Sequence, residues 1–135
     1  MSITIQITIN SSLDKVWQFW NEPEHIKQWL FASDDWECPA AENDLQEGGE
    51  FKYRMQAKGG SEGFDMAGVY TKVIPQQEIA YQFGDRHAGI VFTEENGQVI
   101  VTETFDPETV NSEEIQRAGW QAILDNFKKH VEANS

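Results

Sequence analysis

The chain has 135 residues and a mass of 15.4 kDa, which suits one domain with a single hydrophobic core. Its 23 acidic residues outnumber 10 basic ones, and the formal net charge is -13. A polyanion such as nucleic acid, or an anionic membrane, is repelled by most of such a surface, so we expect neither among the partners.

The first predicted elements are a strand and two short helices. Isoleucine occupies every second position from 3 to 9, which predicts an edge or near-edge strand with one buried face. Ser11 or Ser12 then caps a helix whose apolar residues recur at spacings of three and four up to Trp20. Pro23 suits the first turn of a second helix that runs to about Trp29.

The middle of the chain, from Trp36 to Phe105, has the pattern of consecutive strands. In "EFKYRM" the aromatic and apolar residues alternate with charged ones, and Phe64 to Tyr70 repeat that parity. The string "ENG" closes a hairpin before the strand that ends at Phe105. Because these connections are short, neighbouring strands are antiparallel.

The last predicted element is a helix that ends at about Ala133, with Asn111 and Glu114 as its capping box. Its buried face consists of Trp120, Ile123, Leu124, Phe127 and Val131. The order of elements predicts an α+β fold in which this long helix covers one face of a curved antiparallel sheet. A strongly twisted sheet leaves a wedge of space beside such a helix, where small-molecule cavities occur.

Tryptophan is concentrated in "VWQFWNEPEHIKQW", and Trp36 follows soon after. Most large aromatic side chains pack in cores, so we expect a structural role for several of Trp17, Trp20 and Trp36. Trp29 and Trp120 are expected to lie opposite the sheet and to form a wall of the cavity.

Glu103 shares the strand parity of Val101 and Phe105, which predicts a carboxyl group on the buried face. A buried carboxylate must pair with a cation or take up a proton, and Arg54 is a candidate partner. The alternative is a register in which Glu103 faces solvent.

The histidines and the turn "FGDRHAG" give weaker signals. Glu22 and His25 have a metal-like spacing, but the second copy that a carboxylate-bridged site needs is missing, so no metal is expected. Asp85, Arg86 and His87 form either a charged rim of the cavity or an ordinary polar turn. The string "GGSEG" lacks the lysine of a phosphate-binding loop, and no cofactor is predicted.

The single cysteine, Cys38, cannot form an internal disulfide, and no leader-like segment precedes the first strand pattern. We therefore expect a reducing, cytoplasmic setting and an unreactive thiol. No apolar run approaches the ~20 residues needed to span a bilayer.

Five strings carry a resemblance that extends over the whole chain: "VWQFWNEPEHIKQWLF", "LQEGGEFKYRM", "MAGVYTKVIPQQEIAYQFGD", "VTETFDPE" and "AGWQAILDNFKKHVE". They resemble the START-like, helix-grip superfamily, also called the SRPBCC or polyketide-cyclase-like group. The most similar branch is named after the C-terminal domain of an ATPase activator of the ninety-kilodalton heat-shock chaperone. The resemblance implies a single START-like domain over residues 1–135.

The resemblance also implies a deep apolar cavity for lipids, polyketides, hormones or other hydrophobic ligands. At the matching positions, strand parity and helix face give the expected lining: Trp29, Tyr53, Met66, Tyr81, Phe83, Glu103, Trp120 and Leu124. The leading hypothesis is a monomer or weak homodimer that binds such a ligand.

Two other functions stay open at this point. One is a cyclase or hydrolase in which Tyr81, Glu103 or Arg86 acts as acid, base or anion stabiliser. The other is a chaperone-interacting domain like the ATPase activators, although those proteins join this domain to a separate N-terminal one and this sequence opens directly on its first strand.

Overall fold

Seven strands and three helices make up the computed structural model, which describes residues 2–134. The chain opens with β1 (Ile3–Ile9), α1 (Leu13–Asn21) and α2 (Pro23–Ile26). Six strands follow in succession: β2 (Trp36–Asn43), β3 (Glu50–Ala57), β4 (Gly63–Ile74), β5 (Glu78–Phe83), β6 (Arg86–Glu95) and β7 (Gln98–Phe105). The long helix α3 (Glu113–Ala133) closes the chain. None of the helices among the described residues is long and apolar enough to cross a bilayer.

The strands form one antiparallel sheet in the order β1-β7-β6-β5-β4-β3-β2. The strands from β2 to β7 form a meander, whereas β1 returns to the edge beside β7 with Ile3 opposite Phe105. The predicted edge position of the first strand and the predicted α+β, helix-grip architecture are both confirmed.

Two irregularities bend the sheet. The register shifts between Glu37 and Ala40 on the edge strand β2, where Pro39 has no N–H to donate to a ladder. It shifts again between Tyr70 and Lys72 on β4. Irregularities of this kind increase the local twist of a sheet.

The core lies where α3 packs against β1 and α1. Leu124, Phe127 and Val131 are fully buried there, at helical spacings of three and four residues. Because α3 covers the β1 side of the curled sheet, the concave face of β3, β4 and β5 is left free to border an internal space.

Two predicted helix ends are wrong. The second helix ends at Ile26 rather than at Trp29, because the chain continues into a turn in which the N–H of Trp29 donates to the Ile26 carbonyl at 3.2 Å. α3 is capped by Ser112, whose Oγ accepts from the N–H of Ile115 at 3.2 Å, so the capping box of Asn111 and Glu114 does not form.

Candidate functional site

A cavity of about 560 Å³ lies between the concave face of the sheet, the α1–α2 corner and α3. Most of its wall is apolar or aromatic: Trp20, Ile26, Trp29, Leu30, Phe51, Met55, Met66, Ile79, Phe83, Trp120 and Ile123. Its mouth consists of the exposed lining residues Phe64, Asp65, Ala67, Gly84 and Asp85. Phe64 is 54% exposed there, so the cavity opens through an apolar rim.

The sheet side of the wall is built around Phe51. Its ring packs on Tyr53 and Tyr70 with centroid distances of 5.1 and 5.3 Å, and meets Tyr81 edge-on at 5.0 Å. Gly68, opposite Phe51 on β4, leaves the space for that ring, because a Cβ on Gly68 would lie 2.7 Å from it. The glycine is therefore required by the close approach of the ring.

The helical side of the wall is a cluster of indoles. Trp20 and Trp29 lie 5.0 Å apart by ring centroid, and both pack against Phe127 of the core. The Nε1–H of Trp29 donates to the Phe19 carbonyl at 3.0 Å, which fixes the ring. Trp20, for which a structural role was expected, thus also borders the cavity.

Trp120 forms the α3 side of the wall near the mouth. Its indole stacks on Phe105 with a centroid distance of 3.7 Å and an interplanar angle of 7°. Phe83 lies 6.1 Å from the same indole, and the Arg86 guanidinium sits 4.4 Å above the Phe83 ring. One cation therefore lies against the aromatic rim.

Two tyrosines and two asparagines form a polar network on one side of the cavity. Asn43 donates to the Tyr70 hydroxyl at 3.3 Å and to the Asn21 carbonyl at 2.8 Å, and the hydroxyls of Tyr53 and Tyr70 are 3.4 Å apart. Burial raises the pKa of Tyr53 well above its ordinary value and also raises the pKa of Tyr70. Both hydroxyls are therefore neutral at physiological pH.

Glu103 places a carboxyl group on the buried face. It pairs in register with Ile5 and Ile90 and is 6% exposed, so the solvent-facing register is wrong. Burial raises the pKa of this carboxyl to about 8, and no described residue forms an ion pair or hydrogen bond with it. The candidate partner Arg54 instead pairs with Asp65 at 3.6 Å.

Tyr81 is the polar neighbour of Glu103 in the cavity. Burial, and next the Glu103 carboxyl, raise the pKa of Tyr81 well above its ordinary value. Like Glu103, Tyr81 makes no side-chain hydrogen bond within residues 2–134, and because no enclosed polar side-chain atom there lacks a partner, both groups are accessible from the cavity they line. The cavity wall thus holds two polar groups, on β5 and β7, whose hydrogen-bonding capacity is free for a guest.

Seven of the eight residues expected to line the cavity border it: Trp29, Tyr53, Met66, Tyr81, Phe83, Glu103 and Trp120. Leu124 does not, because its side chain is 1% exposed and lies in the core with Phe127. Ile123, one residue earlier and about 100° away around the helix, faces the cavity instead. Tyr70 was missed, although it shares the strand parity of Met66.

The histidines lie outside the cavity wall. His87 is 3.3 Å from Asp106, whereas Asp85 and Arg86 beside it in the sequence line the cavity. His25 and His130 meet each other, with 2.9 Å between Nδ1 and Nε2. Across the described part of the chain, no three histidine, cysteine or acidic side chains come together as metal ligands would.

Comparison with known proteins gives one family and several similar folds. The profile of the Activator of Hsp90 ATPase homolog 1-like protein family matches residues 10–132. An AHSA1-like protein from Aeromonas hydrophila is 41% identical, with a TM-score of 0.94 over 99% of this chain and 94% of that one. No curated protein matches the chain.

Two further solved structures are similar. A protein from Cytophaga hutchinsonii is 47% identical, with a TM-score of 0.85 over 98% of this chain and 93% of that one. CalU16 from Micromonospora echinospora is 20% identical, with a TM-score of 0.70 over 96% of this chain and 75% of that one, and shares the fold alone.

Proposed function

We propose that this chain, which belongs to the Activator of Hsp90 ATPase homolog 1-like family, binds a small hydrophobic molecule between the sheet and α3. The observation that carries the proposal is the cavity of about 560 Å³ with its largely aromatic wall. Small-molecule sites occupy roughly 300–1,000 Å³ and combine apolar walls with a few polar groups that orient the ligand. The cavity has this size and this combination.

The driving force for binding is burial of apolar surface. Rings such as Phe51, Trp29 and Trp120 are already held by their neighbours, so little conformational entropy is lost when a ligand enters. The apolar rim at Phe64 gives a hydrophobic ligand an entrance. The Tyr81 hydroxyl and the Glu103 carboxyl supply the orienting contacts.

The test is a fluorescence titration with N-phenylnaphthylamine, a neutral probe whose emission rises in apolar surroundings. Met66→Trp adds volume at a lining position and is expected to weaken binding about tenfold or more. Val69→Trp is the matched control, because Val69 is on the same strand but is 40% exposed and does not line the cavity. Absence of saturable binding, or equal weakening by both variants, would contradict the proposal.

Catalysis on such a ligand is a second candidate, favoured by the presence of Tyr81 and Glu103 in the wall of one cavity. A carboxyl with a pKa of about 8 can exchange a proton near neutral pH. For an enzyme, Glu103→Gln and Tyr81→Phe should abolish turnover while the probe still binds. If a ligand identified in the cavity binds but is not converted, catalysis is ruled out for that ligand and binding remains as the function.

A further inference from the structure

We infer, on the basis of the proposed function, that the cavity prefers hydrophobic molecules carrying a positively charged amine, with the Glu103 carboxylate as its counter-ion. The inference assigns a ligand class to the same cavity and a specificity-determining role to Glu103. Four observations support it. Among residues 2–134 the Glu103 carboxyl has no ion pair, no protein cation lies near it, aromatic side chains line the cavity, and the cavity mouth carries carboxylates.

The first observation is that Glu103 occupies a position typical of an apolar residue. Its cross-strand neighbours are Ile5 and Ile90, and Val101 and Phe105 precede and follow it on the same face, fully buried. Ionisation of a buried carboxyl that has no protein partner is unfavourable in the empty protein. A polar residue at a position typical of an apolar one is expected at functional sites, where a ligand supplies the missing partner.

The second observation is that the elements around Glu103 present no cation to it. The other titratable groups of the inner cavity wall are the tyrosines Tyr53, Tyr70 and Tyr81. The helices contribute only uncharged lining residues, namely Trp20, Asn21, Ile26, Trp29, Trp120 and Ile123. Arg86 is the one basic lining residue among residues 2–134, and its guanidinium lies over Phe83. A counter-ion for the ionised form of Glu103 would therefore come from the ligand.

The third and fourth observations concern what a cation would meet. Tyr81 and Trp120 present aromatic rings to the cavity, and ring faces attract ammonium groups, whereas the Phe83 ring already carries the Arg86 guanidinium. Asp65 and Asp85 at the mouth, together with the net charge of -13, favour the approach of cations over anions. Asp65 forms ion pairs with Lys52 and Arg54 at 3.9 and 3.6 Å, whereas Asp85 forms none with residues 2–134.

The geometry has a consequence for proton uptake. The Glu103 carboxyl, with a pKa of about 8, is largely protonated in the empty protein at pH 7, whereas an ammonium group stabilises the ionised form. Binding of an amine therefore releases a proton from Glu103. Amine affinity should rise by up to about tenfold per pH unit until the pH passes the pKa of Glu103. A neutral analogue should show no such rise.

The test uses three compounds with the same ring system and different head groups: naphthylmethylamine, naphthylmethanol and naphthoic acid. Calorimetry at pH 8 should give the amine an affinity about tenfold or more above the alcohol, with the acid weakest. Glu103→Gln should reduce the affinity of the amine to about that of the alcohol for the same variant. Amide NMR spectra establish that this variant is folded, and Glu94→Gln, at an exposed position of β6 outside the cavity lining, is expected to leave amine affinity unchanged.

The outcomes separate this inference from the proposed function. If the alcohol binds in the cavity and the amine binds no more tightly, the ligand class is wrong while the cavity function stands. Tightest binding of the acid would place recognition at Arg86 and also overturn the inference. If Glu103→Gln keeps the amine preference, Glu103 is not the counter-ion. Failure of all three compounds and of N-phenylnaphthylamine would contradict the proposed function, and with it this inference.

Discussion

The Nδ1 atom of His25 lies 2.9 Å from the Nε2 atom of His130, and this contact joins α2 to α3. The His25 ring stacks on Phe19 with a centroid distance of 3.9 Å, which holds it in place. One imidazole has to donate and the other to accept, so the contact requires at least one neutral ring. Burial, and next the charge on His25, lower the pKa of His130.

This pair should make the fold sensitive to acid. Because the pKa of His130 is lower in the folded than in the unfolded state, the unfolded chain binds more protons and this contribution to stability is lost as the pH falls below about 6.5. We expect His130→Gln to reduce the loss of unfolding free energy between about pH 7.5 and pH 5.5, measured by urea denaturation. An unchanged slope in His130→Gln would contradict the assignment.

Glu103 should have the opposite effect on the pH dependence of stability. Its folded-state pKa is raised from 4.5 to about 8, so the folded protein is stabilised below pH 4.5 and loses that contribution as the pH rises through 8. Glu103→Gln should therefore be more stable than the wild type by on the order of 4 kcal/mol at about pH 9, with little difference at about pH 4.5. Urea denaturation at both pH values checks this, with the exposed Glu94→Gln on β6 as control. Parallel pH curves for the wild type and Glu103→Gln would rule out a buried carboxyl.

Cys38 should react slowly in the folded protein. The thiol is buried, donates to the Ala40 carbonyl at 3.5 Å, and burial raises its pKa from 9.0 to about 11. The lower thiolate fraction alone should slow alkylation by iodoacetamide about a hundredfold relative to the urea-unfolded chain, and steric protection should slow it further. Mass spectrometry of timed samples measures both rates. Similar rates in the two states would show that β2 opens readily at this bulge.

The start of α3 gives a prediction about capping. Ser112→Ala removes the side-chain acceptor for the N–H of Ile115 and should lower the unfolding free energy by about 1 kcal/mol. Asn111→Ala, at the neighbouring position, should change it by less than about 0.5 kcal/mol, because the backbone of Asn111 makes the contacts with Glu108 and Gln116. Thermal or urea denaturation distinguishes the two. A larger effect of Asn111→Ala would show that Asn111, rather than Ser112, caps α3.

Elements with a regular alternation of polar and apolar residues could be predicted from the sequence. The isoleucines of β1 and the alternation in β3 each define a buried face, and strand parity alone brings Tyr53, Tyr81 and Glu103 to the cavity. These residues share a face because the side-chain period of a strand is two.

Features that depend on contacts between distant elements could not be predicted in this way. The choice of Ile123 over Leu124 depends on the rotation of α3 about its axis, which its packing on β1 and α1 determines. His25 and His130 are 105 positions apart, and the sequence around one gives no indication of its contact with the other. The lack of a partner for Glu103 is likewise visible only when all the surrounding elements are in place.

The position of β7 between β1 and β6 has a consequence for how the protein folds as it is synthesised. Thr4 and Thr104 hydrogen-bond across neighbouring strands although 100 positions separate them, so β1 leaves the ribosome long before the strand that it pairs with. Until then the nascent chain carries an isoleucine-rich strand without its partner, and pairing at such long range is slow. Within this sheet, β1 is therefore translated before the other strands but is among the last to dock, and in the interval its unpaired edge is exposed to aggregation.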